Sequence, residues 1–394
     1  MLIRLVPWFH CSELSDEKCR SLAQRCVEIG LALLLILSEV FSSNIQATLP
    51  TFSLLARLAL TGGGILLLLV KCVALTRYET RWQWILLFAV LAYSGFVTVY
   101  GGDEWFVLAA LLGMSAKDTD LRRLLRVYLA VAVICLLLVR LLHIFTTLIP
   151  FTYYCRNWDF GYGHYNGYGA RILGIFFAWA WLRWARLRWF DWAGLAALAL
   201  YTLTVPGCRG SGGTMLLLLV LFAAQRMLPR FFVSKVYHIL LLAVYPVITA
   251  FSVWISWWYD PVAHNVPSLF QRLNSVLSGR FEVWHNVFWP APISLFGGLP
   301  TDGDEHSAID NMYLALPMNK GILGAVVVAA AFLILLWRLA KGRHTGELLC
   351  ITALLAYLFM ENKPFLLSAN PLVFLLPCVL FALPGKDLPV VCPP

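Results

Sequence analysis

The chain has 394 residues, of which 60% are hydrophobic and 13% charged, and its mean hydropathy is +0.76. A soluble domain carries about 25% charged residues, so this composition excludes an ordinary soluble protein and indicates an integral membrane one. The net charge of +9 would suit a nucleic-acid partner, but in a multi-span chain an excess of Lys and Arg marks cytoplasmic loops, and the position of the charges decides.

Residues 1–24 lack the apolar core and small-residue cleavage site of a signal peptide and read as a cytoplasmic segment. A helix needs roughly 20 apolar residues to cross about 30 Å of hydrocarbon, fewer inside a bundle. On that basis the spacing predicts twelve spans, near 27–42, 53–75, 84–100, 104–116, 127–148, 170–182, 190–205, 214–227, 236–257, 312–337, 347–360 and 365–383. The expected fold is therefore all-α and polytopic. Spans one to nine lie within 25–257, a large extracytoplasmic loop at 258–311, spans ten to twelve within 312–384, and a cytoplasmic tail at 385–394.

Charge supports the same threading. With the N-terminus inside, the inner loops collect Arg4, Lys18, Arg20 and Arg25; Lys71, Arg77 and Arg81; Lys117, Arg122, Arg123 and Arg126; Arg183, Arg186 and Arg188; Arg226, Arg230 and Lys235; Arg338, Lys341 and Arg343; and Lys386. Omitting the short fourth span would put Arg122, Arg123 and Arg126 outside and spoil the alternation. Orientation thus accounts for the basic excess, and no nucleic-acid partner is expected. The ten cysteines show no CxxC or Cys/His spacing, which points to buried small hydrophobes.

The cations left on the outer side are Arg57, Arg140, Arg156, Arg171, Arg209, Arg272 and Arg280, with Lys320 and Lys363. Arginine predominates, and its planar fork holds phosphate oxygens in a bidentate way that lysine does not match. Arg140 falls inside the fifth span, where a cation costs about 2.5–3.5 kcal/mol on insertion scales. A functional role, snorkelling and a structural pair with Glu39 all remain open for it.

Three outward segments have distinctive composition. YYCRNWDFGYGHYNGYGAR (153–171) combines aromatic faces with His164, Asn166 and Arg171, which suits either sugar rings or an interfacial aromatic belt. PGCRGSGG (206–213) places Arg209 among glycines before a helix, either a backbone anion cradle or a tight turn. The large loop contains SGRFEVWHNVF (278–288), where Ser278 is expected to cap a helix beginning at Gly279. Arg280 then shares a face with Trp284, and the aromatics of that helix rest on the membrane. The run TDGDEH (301–306) offers Asp302, Asp304, Glu305 and His306, but a hard cation wants more oxygen ligands than so short a run gives. A solvated loop is the better reading, and no metal or cofactor is expected.

SGRFEVWHNVF resembles the G-R-x-x-x-W element of the family that contains bacterial O-antigen ligases and Wzy-type polysaccharide polymerases. In the same chain order, FGYGHYNGYG is similar to that family's F-G-x-x-H-P-N segment, CRGSGGTML to its S-R-(G/T) helix entry, and IDNMYLALPMNKGILG to its (H/D)-N-x-Y-L…G-I-x-G segment. The resemblance covers roughly 156–383. It implies a GT-C-like membrane enzyme, bound to the bacterial cytoplasmic membrane with its site on the extracytoplasmic face, that transfers an undecaprenyl-pyrophosphate-linked saccharide without nucleotide sugar or obligatory metal. Carried over, it implies that Arg209 and Arg280 grip the pyrophosphate with Arg156 in support, and that the base is Asp310 or His306. Arg171, His164, Asn166, Arg272, Trp284, Asn311, Tyr313 and Glu361 would line the substrate. Ligases carry histidine before the Asn of the H-N-x-Y segment, whereas Asp310 precedes Asn311 here. That difference favours a polymerase of repeat units over a ligase acting on a lipid A core. Besides the lipid-linked saccharide and membrane lipid, the polymerase reading implies a chain-length regulator and a flippase as partners. A lipid-linked saccharide flippase is the rival from another class, and Glu361 has a bland alternative as the partner of Lys363.

Overall fold

The computed structural model describes residues 16–381 except 79, 102, 152, 155–156, 261, 263–265, 290–292 and 298–308. Its helices in chain order are α1 (Asp16–Glu39), α2 (Ile45–Thr48), α3 (Pro50–Val70), α4 (Arg81–Gly101), α5 (Glu104–Ser115), α6 (Leu121–Phe145), α7 (Tyr165–Arg183), α8 (Trp189–Thr204), α9 (Arg209–Met227), α10 (Pro229–Phe232), α11 (Lys235–Trp258), α12 (Ser268–Val276), α13 (Arg280–Phe288), α14 (Met312–Asn319), α15 (Gly321–Lys341), α16 (Thr345–Met360) and α17 (Pro377–Leu380). Among the described residues, Tyr153–Tyr154 pairs with Asn157–Trp158 as a short antiparallel ladder.

Starts and stops follow local chemistry. Asp103 accepts from the Trp105 amide (3.1 Å), Asp120 from Arg123 (3.1 Å) and Ser234 from Tyr237 (3.2 Å), each satisfying an amide that the first helical turn leaves open. Proline stands in the first turn of α3, where its missing N–H is harmless.

Among the described residues, seven helices are long and apolar enough to cross a membrane: Glu17–Glu39, Pro50–Leu75, Arg81–Tyr100, Leu121–Phe145, Arg209–Met227, Lys235–Trp258 and Gly321–Lys341. Shorter apolar helices occupy Glu104–Ser115, Thr345–Met360 and Pro371–Leu380. The chain is a polytopic helical membrane protein, its Leu- and Phe-rich core running through the bundle.

Contacts sort the helix ends into two sets. At one end, the Asp120 amide donates to Gln24 (2.8 Å), Arg123 pairs with Glu28, Lys71 donates to the Lys117 carbonyl, and Arg226 to that of Leu187 (3.1 Å). At the other, Arg57 pairs with Glu104 (2.7 Å), Lys320 with Asp103 (2.7 Å), and Asn44 donates to Asp159 (2.7 Å). The first end carries the Lys- and Arg-rich loops of the expected inner face.

Four local expectations are corrected. The tenth span, expected over 312–337, is two helices: the chain bends at Gly321, whose φ of +72° suits glycine alone, and α15 by itself is long enough to cross. The twelfth, expected from 365, is not one helix. Residues 361–370 are irregular, and Pro371 and Pro377 each start a new short piece. A Cβ on Gly174 would lie 2.0 Å from the Ser368 carbonyl oxygen, so that irregular chain presses directly on α7. Ser278 does not cap α13; the Asn274 side chain, from α12, accepts from the Phe281 amide (2.9 Å). Finally, the aromatics of α13 face the protein rather than the membrane: Phe281, Trp284 and Phe288 are buried among Ile255, Tyr259, Leu314 and Ala315.

Candidate functional site

The α12–α13 hairpin delivers Arg280 to the end of the bundle where α7, α9 and α14 begin and α16 finishes. Glu361 caps α16 in extended conformation and is 2% exposed. One of its oxygens accepts from the Arg280 Nη2 (3.2 Å) and the other from the Lys363 Nζ (2.7 Å). Arg280 divides itself further, reaching Asp310 at 3.4 Å and the Leu277 carbonyl at 3.5 Å. Arg209, exposed at the start of α9, donates to the Val276 carbonyl (3.3 Å). Two arginines distant in sequence thus lean on consecutive carbonyls of one turn. Gly210 closes the group from below, since a Cβ there would lie 3.6 Å from the Glu361 Cγ.

His164 caps α7, its Nδ1 accepting from the Asn166 amide (3.0 Å), which leaves the proton of the neutral ring on Nε2 as a donor. Burial lowers its pKa from 6.5, the cations Lys363 and Arg280 lower it further, and Asp310 opposes them. Those influences put His164 in the field of the same cluster. Burial pushes the Glu361 carboxyl above its usual range; Lys363 pulls it down, Asp310 raises it, and Arg280 lowers it. The buried Glu361 carboxylate therefore relies on the cations beside it to stay ionised.

The arrangement has an exchangeable part and a fixed part. Asp310 is 47% exposed and holds Arg280 by a single long contact, whereas Glu361 is 2% exposed and gripped from both sides. An incoming phosphate would compete with Asp310 for the guanidinium and release that carboxylate as a proton acceptor. Beside Lys363 a cavity of about 250 Å³ opens, lined by Asp103, Trp105, Asn319, Lys320, Asn362 and Phe365 among others.

Other residues expected at the site have different places. Arg171 is 4% exposed; it pairs with Glu39 (3.2 Å), donates to the Gly167 and Ser38 carbonyls (2.8 Å each) and stacks on Tyr162 (4.1 Å). The Glu39 pairing thus goes to Arg171, while Arg140 lies over the Phe160 ring at 4.5 Å. Asn311 is buried as the cap of α14, accepting from Tyr313 (2.9 Å) and donating to Ser252 (3.1 Å). Tyr313 is buried with its hydroxyl on the Leu355 carbonyl (2.9 Å), and Trp284 packs edge-on against Phe359. Arg272 is exposed on α12, and Asn166 is half-buried in the first turn of α7. Arg156 and His306, with the acidic run 302–305, lie outside the described residues. Among the described residues no group of three or more His, Cys, Asp or Glu could hold a metal ion.

Lys363 was read in the sequence as an outward cation and as a possible partner of Glu361, not as a site residue. The signal for more was its place: a charged Glu-Asn-Lys triplet between an apolar helix and Pro364. Comparison with protein-family models, with curated proteins and with solved structures gave no match.

Proposed function

We propose that the chain is a lipid-linked oligosaccharide polymerase of the bacterial cytoplasmic membrane, with twelve membrane crossings and the Arg280 cluster on the extracytoplasmic face. The observation that carries this reading is the convergence of Arg209 and Arg280 on the consecutive Val276 and Leu277 carbonyls, with Lys363 and Asp310 alongside. A diphosphate presents oxygens in the spacing that paired guanidinium forks recognise. The Lys- and Arg-rich loops at the opposite end of the bundle support the sidedness.

In the proposed reaction the diphosphate of the donor displaces Asp310 from Arg280. The acceptor sugar's hydroxyl attacks the anomeric carbon; the C–O bond to the diphosphate breaks, and the leaving oxygen keeps the electron pair. Arg209, Arg280 and Lys363 offset the charge that builds there. Asp310, freed and half-exposed, takes the hydroxyl proton. Glu361 keeps Arg280 aimed while the substrate exchanges.

Purified protein supplied with only a lipid-linked repeat unit is expected to make lengthening products. No elongation without a core lipid acceptor would point to a ligase, and lipid transfer between leaflets without elongation to a flippase. A chelator is expected to leave the rate unchanged. Loss restored by a divalent cation would bring the 302–305 carboxylates into the site.

A further inference from the structure

α13 turns its aromatics into the protein, but its neighbour α12 leaves an apolar stripe uncovered. Leu269, Leu273 and Val276 recur at i, i+4 and i+7, the spacing of one helical face, and are 62%, 39% and 64% exposed. Elsewhere on α12, Asn274 is buried, and Ser268, Gln271, Arg272 and Ser275 are exposed. The helix thus has three sides: one packed on the protein, one polar, and one apolar and open.

The open stripe continues a surface that faces lipid. α11 is long and apolar enough to cross a membrane, and its exposed residues Val236, Ile239, Leu240, Val247, Trp254 and Trp257 share one face at 100° per residue. From Val236 to Trp257 the helix rises about 32 Å at 1.5 Å per residue. With Val236 at one edge of a hydrocarbon core about 30 Å thick, Trp254 and Trp257 stand at the other, the level tryptophan prefers. There Phe270 of α12 packs on Trp258 and Trp254, with ring centroids 4.8 and 6.0 Å apart. The stripe of α12 therefore begins where lipid tails meet headgroups.

We propose that α12 is an interfacial helix, with Leu269, Leu273 and Val276 seated among phospholipid tails just below the headgroups and Arg272 bonded to lipid phosphates. Arg272 lies three residues after Leu269 and four before Val276, at the edge of the stripe. It is exposed and makes no ion pair or hydrogen bond among the described residues, so its guanidinium is open to a phosphate. Leucine on one side and a basic residue beside it is the form of a helix that lies in the interface plane. A bilayer fits the stripe better than a second protein chain, because the stripe is continuous with the face that α11 turns to lipid.

Lipid contact is passed to the Arg280 cluster through Asn274. Its side chain accepts from the Phe281 amide (2.9 Å) and donates to the Tyr259 hydroxyl (3.0 Å), and its carbonyl accepts from the Gly279 amide (2.8 Å). Val276, exposed on the stripe, gives its carbonyl to Arg209. The bilayer thereby sets the depth of both arginines, whatever reaction they serve.

The test uses the full chain in nanodiscs of phosphatidylcholine with phosphatidylglycerol, with a genetically encoded fluorescent amino acid replacing Leu269, Leu273, Val276, Gln271 or Ser275 one at a time. Two quenchers report on it: phosphatidylcholine with a nitroxide near the top of its acyl chain, and aqueous iodide. At Leu269, Leu273 and Val276 the nitroxide lipid is expected to quench and iodide to have little effect; at Gln271 and Ser275 the order reverses. Iodide quenching at all five positions, or protection of the stripe from both quenchers as a protein partner would give, would overturn the proposal. A nitroxide phosphatidylglycerol should quench at Leu269 more strongly than the phosphatidylcholine does, since a basic side chain near the surface draws anionic lipid, and Arg272→Gln should erase that preference. Equal quenching by the two lipids with Arg272 present would overturn its phosphate role. Leu269→Asp with Leu273→Asp, both on the exposed stripe, should expel α12 into water, read as iodide quenching at Val276, and should speed hydrogen exchange of the Phe281 amide. Unchanged exchange would break the link from lipid to Arg280. Quenching and exchange need neither turnover nor saccharide, so their outcome is separate from that of the elongation assay.

Discussion

Arg171 and Arg280 both meet a buried glutamate near the same end of the bundle, yet they are held in opposite ways. Arg171 is closed on every side, with two carbonyls at 2.8 Å, Glu39 at 3.2 Å and the Tyr162 face beneath it. Arg280 is stretched between three acceptors at 3.2–3.5 Å, one of them the half-exposed Asp310. Contacts that surround a guanidinium only 4% exposed leave no open side for a ligand and fix a fold. Long, divided ones leave a guanidinium that a better acceptor can recruit. The pair teaches that outward position alone does not mark an arginine for a ligand; what sets Arg280 apart is an exposed, exchangeable partner, Asp310.

The comparison breaks most visibly at Arg171. Arg171→Ala strips Glu39 of its cation and leaves a buried carboxylate with only the Tyr162 hydroxyl at 3.4 Å. Removing one member of a buried pair costs about 3–5 kcal/mol. The expected result is a large fall in folded yield and in melting temperature in detergent. Adding Glu39→Gln should recover part of the loss, because the stranded charge is gone. Normal melting for the single variant would show that the closed pair is not structural.

At the open cluster the effects should appear in turnover instead. Asp310→Asn removes the proposed proton acceptor while loosening the hold on Arg280. A loss of about 10²–10⁴ in kcat is expected, with KM for the lipid-linked donor unchanged or lower. A raised KM with kcat intact would assign Asp310 to binding rather than proton transfer. Arg280→Ala, and likewise Arg209→Ala, should lower elongation by about 10²–10³, the range seen when one donor to a developing oxyanion is lost. Both should fold, since Lys363 pairs with Glu361 at 2.7 Å independently of Arg280, and Arg209 is exposed. Arg280→Lys should recover little, because an ammonium lacks the fork. Wild-type elongation in the alanine variants would sink the diphosphate role.

The same contrast explains what the sequence made legible. Long apolar helices and the two-sided distribution of Lys and Arg are written in composition, so the membrane class and most helix positions could be read directly. The bend at Gly321 and the irregular 361–370 segment were not, although Pro317, Pro364, Pro371 and Pro377 were visible. In an apolar run, lipid compatibility hides where the backbone leaves the helix. Nor does periodicity say which arginine Glu39 takes: Arg140 and Arg171 come from different helices, and only their packing sent Arg171 to Glu39 and Arg140 to the Phe160 ring. At the site, Arg209, Arg280, Asp310, Glu361 and His164 were named from sequence and lie together. Asn311 and Tyr313 were named for the same motif and hold α14 in place. A motif records that residues matter without separating those that meet ligand from those that build the wall.

The smallest expected effect concerns His164, which shares the field of the open cluster. Burial and the nearby Lys363 and Arg280 depress its pKa below 6.5, with Asp310 opposing. A depressed pKa means that the folded chain favours the neutral ring. The stability from this group is therefore fully present above about pH 6.5 and is lost as pH falls through the lower folded value. His164→Asn keeps an acceptor at the helix cap, a position asparagine fills well, and removes the titration. Melting temperatures measured from pH 7.5 down to 5 should fall more steeply for wild type than for the variant, because acidification adds a third cation beside Arg280 and Lys363. Parallel slopes would place His164 outside their field, and the open cluster would then consist of the arginines, Lys363 and the two carboxylates alone.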